Sequence, residues 1–213
     1  RGQIATITSF GAKLSNNFFP ILNQRRRLLD SKPQILQLSL GGSSGTLYAF
    51  GSKAELLGRR LSNELSLQNP TIPWHNNREG FVQLSSILTG LTASFGKFGA
   101  DVLWLAQSEL REVDLSNLGS SSVIPHKKNP VIAEALMTLA DVTASLNLLM
   151  NSALVHRNER DGVAWTKEMI VLPQLAHGCG AACKLALNLL QSLVPNEKNI
   201  KKTIEFTNGL VFS

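Results

Sequence analysis

Between residues 80 and 112 the apolar side chains Phe81, Leu84, Leu88, Leu91, Phe95, Phe98, Val102 and Leu105 recur at steps of three or four. An α-helix returns side chains to one face at that period and a strand does not, so the stripe predicts an amphipathic helix of many turns. The same period predicts a helix over 129–155, through Ile132, Leu136, Leu139, Val142, Leu146 and Leu149, with Pro130 in its first turn. A third helix is expected over 165–193, bent near Pro173, and two more over 9–30, kinked at Pro20, and 44–66. Asn76 or Asn77 is placed to cap the 80–112 helix. Residues 35–40 read as a short strand or an extended connector. Helices of this length exceed the mean of about 11–12 residues, and no strand–helix–strand rhythm is present. The expected fold class is therefore all-α, a long-helix bundle. Ala93, Gly96 and Gly99 permit close helix approach, and a broad apolar surface favours oligomerisation.

The composition narrows the function classes. Lys+Arg 21 against Asp+Glu 15 gives a net charge of +6, but charged residues are only 17% of the 213, below the roughly 25% of an average domain. That excludes a disordered or polybasic chain. Arg25-Arg26-Arg27 is a local cluster at a helix end, without aromatic interleaving, so nucleic acid is not expected as a partner. No stretch reaches about 18 uninterrupted apolar residues, so no membrane span is expected. Cys179 and Cys183 stand four apart in an apolar run, with no further ligand pattern. They suit a reducing, cytoplasmic setting and offer no metal site. Gly41–Gly45 lacks the spacing of a nucleotide-binding loop.

Chemistry concentrates in Leu118-Gly119-Ser120-Ser121-Ser122-Val123-Ile124-Pro125-His126-Lys127-Lys128-Asn129-Pro130. Its first half carries hydroxyls and its second half cations, and Asn129-Pro130 opens a helix whose N-terminal amides favour an anion. A serine beside such a pocket suits proton transfer at a carbon next to a carboxylate, because the alkoxide and the doubly charged aci-carboxylate need the same positive surroundings.

The string resembles the signature loop of the fumarase/aspartase superfamily, written GSSxMPxKxNP, with the family's serine pair on Ser121 and Ser122. Ser120 stands where the family has Gly, and Ile124 where it has Met. Within the superfamily, Gly41-Gly42-Ser43-Ser44-Gly45-Thr46-Leu47 resembles the GGAAGTL stretch of the 3-carboxy-cis,cis-muconate cycloisomerases, and Pro73-Trp74-His75-Asn76-Asn77-Arg78 their PWHxxRD segment. Gln107-Ser108-Glu109-Leu110-Arg111-Glu112-Val113 resembles their QTEVGEV-type segment. Glu159-Arg160 and Ala164-Trp165 resemble HERxxGAW, with Asn158 for the His and Thr166-Lys167-Glu168 for a family HAE. The triplet Glu159-Arg160-Asp161 leans instead toward adenylosuccinate lyases, while the tryptophans lean toward the cycloisomerases.

What the resemblance implies can be put residue by residue. Ser121, then Ser122, is the catalytic serine, and Lys127 serves it; Asn129 with Lys127 holds a carboxylate. Arg78, His75 and His126 are candidate substrate contacts, Arg78 foremost because a guanidinium offers a bidentate fork. Gln3 and Thr8 fall in a stretch resembling RTxxQxAxPxTFG. Arg1 stands where fumarases and adenylosuccinate lyases carry a His, and Glu134 is its possible partner or else an ordinary first-turn helix acid. His156 and His177 read as structural.

The resemblance further implies a cofactor-free enzyme acting on a small anionic polycarboxylate, a homotetramer whose active sites are shared among subunits, and lactonisation of 3-carboxy-cis,cis-muconate. A C–N lyase releasing fumarate and a catalytically silent homologue are the alternatives. The expected organisation is a central helical domain over residues 1–194 and the start of a small C-terminal domain over 195–213. Starting inside one family motif at Arg1-Gly2-Gln3 and stopping inside another, the chain reads as truncated at both ends.

Overall fold

The computed structural model describes residues 4–115, 119–120 and 128–212. The chain is all-α in architecture. It runs α1 (Phe10–Asp30), a one-turn α2 (Lys32–Ile35), a 3-10 segment (Tyr48–Lys53), α3 (Ala54–Leu65), α4 (Glu79–Leu105), β1 (Val113–Leu115), β2 (Gly119–Ser120), β3 (Lys128–Asn129), α5 (Val131–Asn151), α6 (Gly162–Ser192), β4 (Leu193–Pro195) and α7 (Glu197–Glu205). Contacts divide it into two compact units. The first is Arg1–Leu22, Leu91–Val142 and Gly178–Ser213, and the second is Asn23–Gly90 and Thr143–His177.

In the first unit the α4 stripe does what its period demands. Phe95, Phe98 and Val102 are buried with Ala133 and Leu136 of α5 and Ala182, Ala186 and Leu189 of α6. The helices approach closely because of glycine. A Cβ on Gly99 would lie 2.6 Å from the Ala133 carbonyl oxygen, and one on Gly96 2.6 Å from the Ala140 methyl. Phe18 of α1 meets Phe98 at 5.4 Å between ring centres. Asn17, 2% exposed, donates to Asp101 at 2.9 Å and accepts from Lys97 at 3.0 Å, which satisfies a buried amide that would otherwise be costly. β1 and β4 pair antiparallel, Val113 opposite Pro195 and Leu115 opposite Leu193.

In the second unit Val82 of α4, Met150 of α5, Val171 and Leu175 of α6, Ala153 and Ala164 form the core. Ser85 donates to Asn147 at 2.7 Å. Asn77, expected as a cap of α4, stands one residue before the N-cap Arg78, whose carbonyl accepts the Val82 N–H, and its side chain accepts the Glu79 N–H at 2.7 Å.

Several sequence expectations change. The helix expected over 44–66 begins only at Ala54, because Gly42, Gly45, Leu47 and Gly51 take positive φ. The helix of 80–112 ends at Leu105, where the apolar stripe itself stops. Arg111 then takes a left-handed φ of 46° and the Glu112 N–H bonds the Leu105 carbonyl. Residues 35–40 form no strand but one parallel bridge, Gln37 to Gln68. Pro20 and Pro173 lie, as expected, inside helices, α1 and α6.

No membrane span was expected, yet Val131–Leu154 and Gly162–Ser192 are long and apolar enough to cross a membrane by length and composition. A strict requirement for an uninterrupted apolar run misses them. They carry Glu134, Asp141, Lys167, Glu168 and Lys184, and only 17% and 28% of their most apolar windows are buried.

Candidate functional site

Two regions carry the chemistry, one in each unit. In the first, β2 and β3 pair antiparallel, Gly119 opposite Asn129 and Ser120 opposite Lys128. This two-rung ribbon brackets the segment 121–127 and runs through half-buried Asn129 and Pro130 into α5. The Pro130 carbonyl accepts the Ala133 and Glu134 N–H groups, so Pro130 stands at the N-cap, where its missing N–H costs nothing. The Ser120 backbone is extended, a conformation open to any residue. Replacing the family glycine there therefore demands no left-handed strain. Glu134 is exposed in the first turn of α5, and Thr8 is exposed ahead of α1. Ser121, Ser122, His126, Lys127, Gln3 and Arg1 lie outside the described residues.

In the second unit Arg78 is buried, 7% exposed. A buried guanidinium requires a counter-charge, and α6 supplies it: Arg78 Nε lies 2.9 Å from Glu168 Oε2. The approach is that of an ion pair without hydrogen-bond alignment. Arg78 Nη1 donates to the Asn77 and Trp74 carbonyls at 3.1 and 3.5 Å, and the guanidinium stacks 5.6 Å from the Trp74 ring centre. Trp74 is itself fixed by its Nε1–H donating to the Leu38 carbonyl at 3.1 Å and by an edge contact with Phe81.

The Gly41–Thr46 loop, closed by the Leu47 N–H on the Gly41 carbonyl, lies on His75. A Cβ on Gly45 would come 3.2 Å from the His75 Cβ, and one on Gly41 3.4 Å from its Nδ1. The glycines thus serve the fit of an imidazole.

A turn completes the second region. His156 Nε2 accepts the Asp161 N–H at 2.8 Å. The Asp161 carboxylate takes the Arg157 N–H at 3.1 Å, Arg157 Nε at 2.8 Å and Nη2 at 3.2 Å, and the Val163 N–H at 2.8 Å. These bonds, those from Arg157 first, hold its carboxyl far below the usual range. Burial, then the charge of Arg78, lowers His156, with Asp161 opposing and His75 adding to the fall. Burial raises Glu168 against the pull of Arg78. His75 Nε2 and His156 Nδ1 are buried without a hydrogen-bond partner. Arg160 lies with its guanidinium 5.1 Å from the Trp165 ring centre.

Of the residues expected at the site, His75 and Arg78 share the second unit, while Thr8, Asn129 and Glu134 belong to the first. Sequence reasoning missed Glu168 as the partner of Arg78, while His156, read as structural, holds a turn. The signal for Glu168 was an acid in the place of the HAE-like motif, waiting for a buried arginine. Among the described residues no group of His, Cys, Asp and Glu could hold a metal. Burial and the neighbouring Cys179 thiol push Cys183 up to about 11, so it stays protonated at neutral pH.

Comparison with known proteins gives the family. The family described as "Lyase" matches residues 1–143. The chain is 35% identical over 214 residues to 3-carboxy-cis,cis-muconate cycloisomerase of Pseudomonas aeruginosa, covering 99% of this chain and 47% of that protein. It is 28% identical over 216 residues to N-acetyl-S-(2-succino)cysteine lyase of Dickeya dadantii, covering 100% and 47%. Among solved structures, the 3-carboxy-cis,cis-muconate lactonizing enzyme from Pseudomonas putida superposes with a TM-score of 0.91 at 32% identity, covering 98% of this chain and 46% of that one. The chain spans about half the length of the relatives it matches. By its family match, its motifs and its helical architecture, the chain belongs to the lyase family of the fumarase/aspartase superfamily.

Proposed function

We propose that this chain is part of a cofactor-free cycloisomerase that lactonises 3-carboxy-cis,cis-muconate. In this reading a substrate carboxylate oxygen adds to a carbon–carbon double bond. The carbon beside another carboxylate gains a proton, passing through an aci-carboxylate. Ser121, with Ser122 beside it, handles that proton. Lys127 and Asn129 hold the carboxylate, and His75, Arg78, His126, Gln3, Thr8 and Glu134 contribute substrate contacts or shape.

The observation that carries the reading is the Gly119–Ser120/Lys128–Asn129 ribbon. It secures both ends of the serine- and lysine-bearing segment at the N-terminus of a 21-residue helix, where backbone amides favour a developing negative charge. The identity to the Pseudomonas aeruginosa cycloisomerase supports the substrate.

The resemblance also supports a cytoplasmic homotetramer with shared sites. Leu148, Val155 and Met169, 73%, 77% and 65% exposed, suit cover by further copies of the chain rather than by lipid. The proposed domains are residues 1–194 and the start of another over 195–213.

A second reading is a lyase for a succinyl-type adduct. The likeness to N-acetyl-S-(2-succino)cysteine lyase favours it. The Glu159-Arg160-Asp161 triplet adds little to it, since the Asp161 carboxylate is committed to the turn.

The test is turnover by purified protein of 3-carboxy-cis,cis-muconate, adenylosuccinate and an S-succinyl thiol, with light scattering for assembly. Lactonisation that falls at least about 100-fold in Ser121→Ala is expected. Fumarate release without lactonisation supports the lyase instead. An assembled tetramer without turnover of any of the three supports a silent homologue.

A further inference from the structure

We propose that His156, neutral and carrying its proton on Nδ1, is the positioning residue that latches the turn displaying Glu159 and Arg160.

The tautomer follows from the bond it makes. Nε2 accepts the Asp161 N–H at 2.8 Å, so the proton of the neutral ring is on Nδ1. That bond closes a turn whose other stabilising contacts converge on one carboxylate. Asp161 accepts from Arg157 and Val163 through four N–H groups. Asn158 between them holds a left-handed φ of 53°, a conformation a non-glycine residue keeps only when its surroundings enforce it. Asn76 contributes a long bond, 3.4 Å, to the Asn158 carbonyl. The turn presents Glu159 and Arg160 to solvent and sets Arg160 against Trp165.

A protonated His156 cannot hold this latch. Nε2 would then be a donor facing the Asp161 N–H, itself a donor. The Asp161 carboxylate, already accepting four N–H groups, is poorly placed to take another. The groups facing His156 are Arg78 and His75, both opposing a positive ring, and Asp161, favouring one. The counter-charge of Glu168 is taken by Arg78. The environment therefore keeps the ring neutral, and acid opens the turn.

The catalytic consequence rests on the function proposed above: Arg160, in the HERxxGAW-like motif, is held in place for an anionic substrate by a residue that never touches it. The latch itself is testable without substrate, by amide hydrogen exchange at Asp161 corrected for the intrinsic pH dependence. In the unaltered protein, protection at Asp161 is expected to fall about tenfold as His156 titrates, the titration being followed by ring NMR of the same sample. His156→Gln supplies a neutral acceptor and should keep protection constant through that range. His156→Ala should lack it throughout. Protection that ignores the His156 titration, or that survives in a folded His156→Ala protein, overturns the latch. If the protein lactonises carboxymuconate, KM should rise in acid and the rise should vanish in His156→Gln. If exchange behaves as expected while no substrate is turned over, the latch stands and the proposed function falls.

Discussion

Both units bury a hydrocarbon core, the first the larger, but they treat charge in opposite ways. The first packs α4 against α5 through glycine and alanine, with Gly99 seated on the Ala133 carbonyl, and pairs Gly119–Ser120 with Lys128–Asn129 ahead of α5. The second buries an arginine, an acid and parts of two imidazoles among its helices. The difference teaches where precision is stored. In the first unit it lies in backbone distance, which hydrocarbon packing sets. In the second it lies in protonation state, which burial and neighbouring charge set.

Substitutions can break this comparison. The largest effect is expected from Arg78→Ala, which leaves Glu168 buried, with 15% side-chain exposure and no counter-charge. It should cost about 4 kcal/mol in urea denaturation, while Arg78→Ala combined with Glu168→Gln should recover part of the loss. Leu136→Ala in the first unit and Leu175→Ala in the second, both 0% exposed, should each cost about 3 kcal/mol. Equal losses would show that hydrocarbon packing is shared and charge is the distinction.

Gly99→Ala should cost about 2 kcal/mol, because its methyl must displace backbone rather than a flexible side-chain tip. Gly180→Ala, inside α6 with nothing within 4 Å, is the control without a clash and should instead gain about 1 kcal/mol from helix propensity. Asn17→Ala strips a partner from both Asp101 and Lys97 and should cost about 1 kcal/mol.

The smallest effect is the pH response, read from amide exchange unit by unit. His156 is lowered from 6.5, so its contribution in the second unit is present above 6.5 and lost as pH falls through its folded value. Glu168, raised from 4.5, acts in the other direction: its contribution is present below 4.5 and lost as pH rises through its folded value. Burial raises Asp101 in the first unit, but hydrogen bonds from Lys97 and Asn17, aided by the charges of Lys97 and Lys13, outweigh it. Lowered from 3.8, Asp101 loses its contribution only as pH falls below that. Acid should therefore weaken the second unit through His156 and the first through Asp101, while alkali acts on the second unit through Glu168.

The fold was legible wherever burial follows one period. The stripe from Phe81 to Leu105 places α4 to within a residue at its start, and its loss of apolar side chains after Leu105 marks the end that a fixed window overran. The glycines at 41–51 hid the late start of α3, because positive φ is a property of the folded turn that composition signals only weakly. The signature string was legible as a family resemblance because it is contiguous in sequence. The partnership of Arg78 with Glu168 was not, because the two residues are 90 positions apart and local spacing carries no sign of it. His156 was read as structural, but the turn it holds was not legible for a related reason. Its role depends on which ring nitrogen faces a backbone amide, and a lone histidine in a sequence does not reveal that.

The contact of Gly96 and Gly99 with α5 has a consequence for how such a chain can change. With would-be methyls 2.6 Å from their neighbours, the α4–α5 spacing works as a ruler with no slack. α5 begins directly beyond the ribbon strand Lys128–Asn129, so any residue that widens the seam also moves the root of the signature segment. Substitution at those two glycines is therefore restricted by packing alone. The start of α5 is thus held at a distance that two glycines set.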